Sequence, residues 1–96
     1  MYFVYILYSY LGKKTYVGYS ADIERRLVEH NLTETKGYTL RYRPWVLMRT
    51  ESYATKGEAM AREKFLKTGR GREEIKVYVE TFLNSDGAVS AGAEKD

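Results

Sequence analysis

Three ionisable side chains fall where an amphipathic helix should turn its apolar face. The spacing predicts a helix from about residue 22 to Asn31, with Ile23 and Leu27 marking its inward stripe at i and i+4. Arg26 and the chain's only histidine, His30, occupy i+3 and i+7 of that stripe, whereas Arg25 points elsewhere. In a second predicted helix Ala59, Glu63 and Leu66 stand at i, i+4 and i+7, which turns a carboxylate toward the sheet. Burying an unpaired charge costs several kcal/mol, on the order of what a whole small domain has to spare. Residues so placed line a cleft, pair with one another or hold a ligand. Bland readings stand beside these. Arg26 can run its methylene stem out to water, Arg26 and Glu63 can form a structural ion pair, and His30 can be a satisfied structural residue.

The chain holds 10 tyrosines, most of them expected in the core or at its rim with hydroxyls reaching water. Tyr5 and Tyr16 sit mid-strand, and the hairpin register that would put them on one face is not fixed by sequence. The run Tyr38-Thr39-Leu40-Arg41-Tyr42-Arg43 alternates aromatic and basic residues, which suits stacking on bases with phosphate contacts nearby. Net charge is only +3, but between Lys36 and Lys76 there are 11 basic and 5 acidic residues, a local +6. Such a stretch can attract phosphates through counterion release or be an ordinary solvated surface. Lys36, Arg41, Arg43, Lys67, Arg70 and Arg72 are the candidate phosphate contacts.

The elements that must position these residues follow from pattern. Residues 2–9 are nearly continuously apolar and read as a buried strand. Leu11-Gly12-Lys13-Lys14 is a turn signal, and Thr15–Tyr19 completes a hairpin. Ser20-Ala21-Asp22 offers helix caps. Residues 32–44 read as a long loop closed by the only proline, Pro44, and a third strand runs from Trp45 to about Tyr53. Thr55 and Glu58 have capping-box spacing for a helix ending at Thr68 before Gly69. Arg70-Gly71 is a joint, and Ile75, Val79 and Phe82 mark the stripe of a last helix. The expected fold is α+β, a three-stranded antiparallel sheet flanked by helices in the order β-β-α-β-α-α. The domain spans 1–83, and the small, polar segment 84–96 is expected to be a disordered tail.

At 96 residues the chain fits one domain; with 44% hydrophobic and 30% charged residues it is neither a disordered nor a membrane composition. Cysteine is absent, so packing alone must stabilise it. The N-terminal apolar run has no basic leader and is far below the ~20 residues of a spanning helix, so a cytoplasmic protein without membrane contact is expected.

On these residues the chain resembles the GIY-YIG nuclease superfamily, in particular its small stand-alone bacterial members. Val4-Tyr5-Ile6 is similar to the first tripeptide region and Tyr16-Val17-Gly18 to the second. The run from Tyr16 through Ser20, Asp22 and Arg26 to His30 resembles the family's ordered tyrosine, glycine, hydroxyl, Asp/Asn, arginine and histidine. Thr55–Lys67 resembles the helix carrying the metal-binding glutamate, here Glu63. The resemblance covers about residues 2–83. It departs in the first tripeptide, which lacks its glycine (Phe3 lies two before Tyr5), and in Val17 for isoleucine. Some members carry an additional lysine, histidine or asparagine, for which Lys36, Lys67 and Asn84 are candidates.

The resemblance implies an endonuclease hydrolysing phosphodiester bonds, of DNA rather than RNA. Glu63 would hold Mg²⁺ or Mn²⁺, Arg26 would stabilise charge growing on phosphorus oxygens, and Tyr5 or Tyr16 would orient or deprotonate the attacking water. His30 could share that work or position a phosphate. An unperturbed tyrosine, with a pKa of ~10, is a poor base at neutral pH, which leaves the base unassigned. The alternative is a non-catalytic nucleic-acid-binding module on the same fold; a protein-interaction domain would require the basic residues to scatter over all faces. With no separate recognition domain in the chain, a protein partner is an expected source of specificity.

Overall fold

A computed structural model of the chain describes residues 1–35 and 37–95, with side chains described through residue 85. Its sheet has the order β2-β1-β3, with β1 (Tyr2–Ser9) in the middle, β2 (Lys14–Ser20) on one edge and β3 (Val46–Tyr53) on the other. Both pairings are antiparallel. The central position explains the unbroken apolar run of β1, since residues 4–9 are buried from both sides. The expected α+β architecture is the one observed.

Alternation along β1 divides the core in two. Val4 and Ile6 face one side and pack with Val17, Ala59, Leu66 and Ile75, the last three from α3 (Lys56–Leu66) and α4 (Gly69–Lys95). Tyr5 and Leu7 face the other side and pack with Trp45, Tyr16, Ile23 and Leu27. Leu7 pairs with Tyr16 and Tyr5 with Gly18, so Tyr5 and Tyr16 share a face, with ring centroids 6.3 Å apart. The register that sequence left open is settled by this pairing.

The caps form largely as expected. Asp22 accepts from the Arg25 amide at 3.0 Å and starts α1 (Ile23–Val28), while Ser20 Oγ bonds the backbone of Asp22 and joins strand to helix. Thr55 and Glu58 make the complete capping box of α3. Two boundaries differ from expectation. α3 ends at Leu66, and Gly69 opens α4 instead of merely stopping α3. Gly71 is forced by close approach, because a Cβ there would collide with the Phe65 carbonyl and the Leu66 backbone. α4 runs on past Asn84, where the tail was expected to begin; side chains from residue 86 onward and residue 96 lie outside the described residues.

The segment read as a loop carries more structure than its composition suggested. α1 passes into a π-helical turn, Glu29–Thr33, closed by the Glu34 amide on the Glu29 carbonyl at 2.9 Å. A short helix, α2 (Tyr38–Arg41), follows, and Thr39 within it is buried. Trp45 precedes the strand instead of opening it. Its backbone is bracketed by Asn31, whose Oδ1 accepts from the Trp45 amide at 2.6 Å and whose Nδ2 donates to the Trp45 carbonyl at 2.9 Å. The Trp45 indole N–H donates to the Thr39 carbonyl at 2.7 Å. These bonds satisfy backbone groups that a buried loop could not otherwise pair. Among the described residues no helix is long and apolar enough to cross a membrane.

Two outcomes test this account. On the helical side Arg62 donates twice to Glu51, at 2.9 and 3.1 Å, and Tyr53 and Arg49 also donate to it. Burial works to raise the Glu51 pKa, but these donors win and lower it from 4.5 to about 2. A depressed folded pKa gives stability that is fully present above about pH 4.5 and lost as pH falls toward 2. Glu51→Gln should lower unfolding free energy at pH 7 by roughly 2 kcal/mol, the scale of hydrogen bonds to a charged group. Denaturant titrations should also show a flatter loss of stability in that acid window. On the other side, a Cβ at Gly18 would collide with the Tyr5 hydroxyl. Gly18→Ala should therefore cost about 1–3 kcal/mol, as overpacking does, and less in a Tyr5→Phe background; equal costs in both backgrounds would show that the hydroxyl is not what it meets.

Candidate active site

A surface cleft of about 460 Å³ runs over the β2 edge, lined by Tyr5, Tyr16, Arg26 and Glu63 together with Arg25 and Lys56. Tyr5, Tyr16 and the arginines reach it from the face covered by α1, and Glu63 and Lys56 come from α3 on the opposite face. Gly18, also in the lining, has no side chain to separate the two groups. His30 lies directly behind, 1% exposed, with its Nε2 2.9 Å from the Tyr5 hydroxyl and its ring 4.8 Å from that of Tyr16. The five residues singled out on the strands and helix faces are thus brought together. Arg25, set aside as pointing elsewhere, lines the same cleft; its side chain is long and stands 3.9 Å from Glu29.

His30 has polar partners at both ring nitrogens. Its Nδ1 lies 3.1 Å from Glu34 Oε1 and 3.2 Å from Thr39 Oγ1, and the Thr39 hydroxyl itself donates to Glu34 at 2.6 Å. On the other side Arg26 Nη2, which can only donate, is 3.4 Å from Nε2. Burial lowers the His30 pKa, and the Arg26 charge lowers it further against the opposing Glu34 contact. The imidazole is therefore neutral at pH 7, with Nε2 turned toward the Tyr5 hydroxyl. Burial also raises the Tyr5 pKa to about 12, although a hydrogen bond from Arg26 opposes the rise. Tyr5 rests as a phenol, not a phenolate.

Arg26 does not pair with Glu63. Its Nη1 binds Glu29, and Nη2 stands 3.6 Å from Glu34. Burial works against its charge, but the bonds to Glu29 and Tyr5 raise its pKa above the ordinary arginine value. Glu63 is half-buried, with Oε2 accepting from Lys67 at the edge of the cleft, and Oε1 makes no hydrogen bond among the described residues. No group of three or more His, Cys, Asp or Glu that could enclose a metal occurs among them. One carboxylate in an open cleft, with room for waters, fits a hard divalent cation that keeps most of its hydration shell and does not fit a soft one.

The phosphate contacts expected from sequence divide. A groove of about 1090 Å³ between β2 and α4 is lined by Lys13, Lys14, Lys67, Arg72 and Lys76, and Tyr16 borders both this groove and the cleft. Lys67 and Arg72 thus line this groove and not the cleft itself. Lys13 and Lys14 had been read only as turn residues; their signal was a pair of lysines on a hairpin beside the second tyrosine. Arg43 is a correction. Its Nε and Nη2 donate to the carbonyls of His30 and Glu34, each at 2.6 Å, so it clamps the π-turn, and it lines neither the cleft nor the groove. Arg41 and Arg70 are exposed but line neither the cleft nor the groove, and Lys36 lies outside the described residues. Glu34, half-exposed in the supposed loop, was missed because its role depends on the π-turn.

The family model described as the GIY-YIG catalytic domain matches residues 1–76. A UPF0213 protein of Staphylococcus epidermidis is 37% identical over 78 residues, covering 81% of this chain and 94% of that protein. A UPF0213 protein of Bacillus subtilis is 36% identical over 81 residues, covering 84% of this chain and 81% of that one. The solution NMR structure of a UPF0213 protein from Bacillus halodurans aligns with a TM-score of 0.49 at 30% identity, covering 80% of this chain and 84% of that one. With the catalytic-domain model matched from Met1 to Lys76 and relatives aligned over most of their own length, the chain belongs to the GIY-YIG family.

Proposed function

We propose that this chain is an endonuclease that hydrolyses phosphodiester bonds of DNA, working with one Mg²⁺ or Mn²⁺ ion. The observation that carries the reading is a phenol in the cleft, Tyr5, bonded to a buried neutral imidazole, with a guanidinium and a carboxylate lining the same space. Family membership supports nuclease chemistry. The basic groove beside the cleft supports a polyanionic substrate, because each phosphate contacted releases counterions.

Each residue then has a task. Tyr5 keeps its proton at rest, directed at His30 Nε2, which leaves its oxygen lone pairs to accept a hydrogen bond from a water in the cleft. As that water attacks, its proton passes to the Tyr5 oxygen while the Tyr5 proton moves to Nε2. A bond forms between the water oxygen and phosphorus, the bond from phosphorus to the leaving oxygen breaks, and that oxygen takes a proton from solvent. This answers the objection to tyrosine as a base, since the group lacking a proton at rest is His30. Arg26 meets the charge that grows on the phosphoryl oxygens. Glu63 would hold the divalent cation, which supplies Lewis-acid polarisation and neutralises the leaving oxygen. Tyr16, shared by groove and cleft, places a bound strand against the reacting centre. A cytoplasmic location, where DNA is at hand, belongs to this reading.

Plasmid nicking under single-turnover conditions tests it. Cleavage should require added divalent metal and disappear in Glu63→Ala, whose stability should change by less than about 1 kcal/mol because it loses only a partly exposed ion pair. Arg26→Ala should bind nearly as well but turn over ~10²–10³-fold more slowly. The rate should fall as pH drops below 6.5, through the depressed His30 pKa, and be flat above it. Full cutting by Glu63→Ala would displace the metal assignment. A wild type that binds DNA with a steep salt dependence but cuts no duplex, single strand, flap or junction would establish the binding-module alternative.

A further inference from the structure

The His30 Nε2 could meet Tyr5 as donor or as acceptor, and the nuclease reading, on which this inference rests, needs the acceptor. In water the two neutral tautomers interconvert, so something in the fold must choose. The π-turn places Glu34 one turn beyond His30, with Oε1 3.1 Å from Nδ1. We infer that Glu34, acting with Thr39, is a positioning residue that holds His30 in the Nδ1-protonated tautomer and so keeps Nε2 open to the Tyr5 proton.

The bond directions leave little freedom. An ionised carboxylate can only accept, and Glu34 stays ionised because the Thr39 hydroxyl bond, first, and the His30 contact lower its pKa. The Thr39 proton is committed to Glu34 at 2.6 Å, so what Thr39 shows to Nδ1 at 3.2 Å is a lone pair. Nδ1 therefore faces two acceptors and must carry the proton. Nε2 faces Arg26 Nη2, which can only donate, and the Tyr5 hydroxyl, which has a proton to give, so the lone pair belongs at Nε2. Tyr16 presents its ring from β2, and Arg43 fixes the carbonyls of His30 and Glu34, so neither His30 nor Glu34 can swing away alone. Removing the Glu34 carboxylate would free the Thr39 hydroxyl to donate to Nδ1, and the opposite tautomer would become accessible. Glu34 also stands 3.6 Å from Arg26, and a purely structural role through that pair is the competing account.

The chain's single histidine makes the test direct. Long-range ¹H–¹⁵N spectra of the labelled full chain, without metal or nucleic acid, should show Nδ1 protonated and Nε2 unprotonated at pH 7.5. Glu34→Ala should move the pattern toward the Nε2-protonated form. Its single-turnover cleavage should slow about tenfold or more, out of the ~10²–10⁴ a positioned base contributes, with DNA affinity unchanged. Glu34→Gln, whose amide oxygen can still accept from Nδ1, should restore both the spectrum and most of the rate. The inference is overturned by an Nε2-protonated wild type, by an unaltered spectrum in Glu34→Ala, or by a folded Glu34→Gln that behaves like Glu34→Ala. The wild-type spectrum alone can overturn it, so a Glu34→Ala that fails to fold does not shield it. A wild type that cuts nothing would end the nuclease reading, while the spectrum would still judge Glu34.

Discussion

His30 is enclosed beneath the sheet, and its polar neighbours come from separate parts of the chain: Tyr5 from the central strand, Arg26 from α1, Glu34 from the end of the π-turn and Thr39 from α2. A buried ring nitrogen left without a partner costs a few kcal/mol, so these elements cannot shift independently. The segment between α1 and β3 is held by this requirement more than by apolar packing, since most of its side chains are exposed or half-exposed. Asn31 and Arg43 extend the same logic by satisfying backbone groups of Trp45, His30 and Glu34. Among the described residues no buried side-chain polar atom lacks a partner. Such a network specifies one arrangement, because a half-satisfied version is worse than none.

The sheet assigns separate jobs to its two faces. One carries the larger apolar cluster with α3 and α4, tied by the Glu51–Arg62–Glu74 ion network. The other carries the aromatic cluster around Trp45 and the polar network of His30. At the β2 edge, where Gly18 lets the Tyr5 hydroxyl approach the strand, side chains from both faces meet. Glu63 can thus belong to a helix that is anchored by Ala59 and Leu66 and still reach the space in front of Tyr5. A carboxylate delivered from a rigid element is positioned more sharply than one carried by a loop.

What was legible in the sequence follows from the kind of signal each residue carries. Strand β1, the hairpin and the capping box of α3 rest on local pattern, and local pattern is written in consecutive residues. Arg26, His30 and Glu63 stood out because a charge on an apolar stripe conflicts with a short-range rule, and that conflict marked the cleft. Glu34, Thr39 and Arg43 conflict with nothing locally. Their partners depend on a π-turn and a short helix whose sequence, rich in Thr and Gly, looks like a loop. Lys13 and Lys14 were hidden for another reason: a turn lysine and a groove-lining lysine have the same neighbours in sequence and differ only in what the last helix places opposite them.

The π-turn has a consequence for how this chain can change length. In an α-helix one residue more or less rotates everything beyond it by about 100°. Here the Glu34 amide already reaches back five residues to Glu29, so the wider turn holds one residue more than an α-helical closure would. Between Asp22, which caps α1, and Glu34, whose amide closes the π-turn, the count of residues is therefore fixed, and an insertion or deletion in that interval would turn the imidazole away from Tyr5 or Glu34 away from the imidazole. The hairpin tip at Leu11–Lys13 carries no such rotational phase. Among relatives of this chain, gaps should gather at the hairpin and avoid the helical interval from Asp22 to Glu34 that sets where one proton can go.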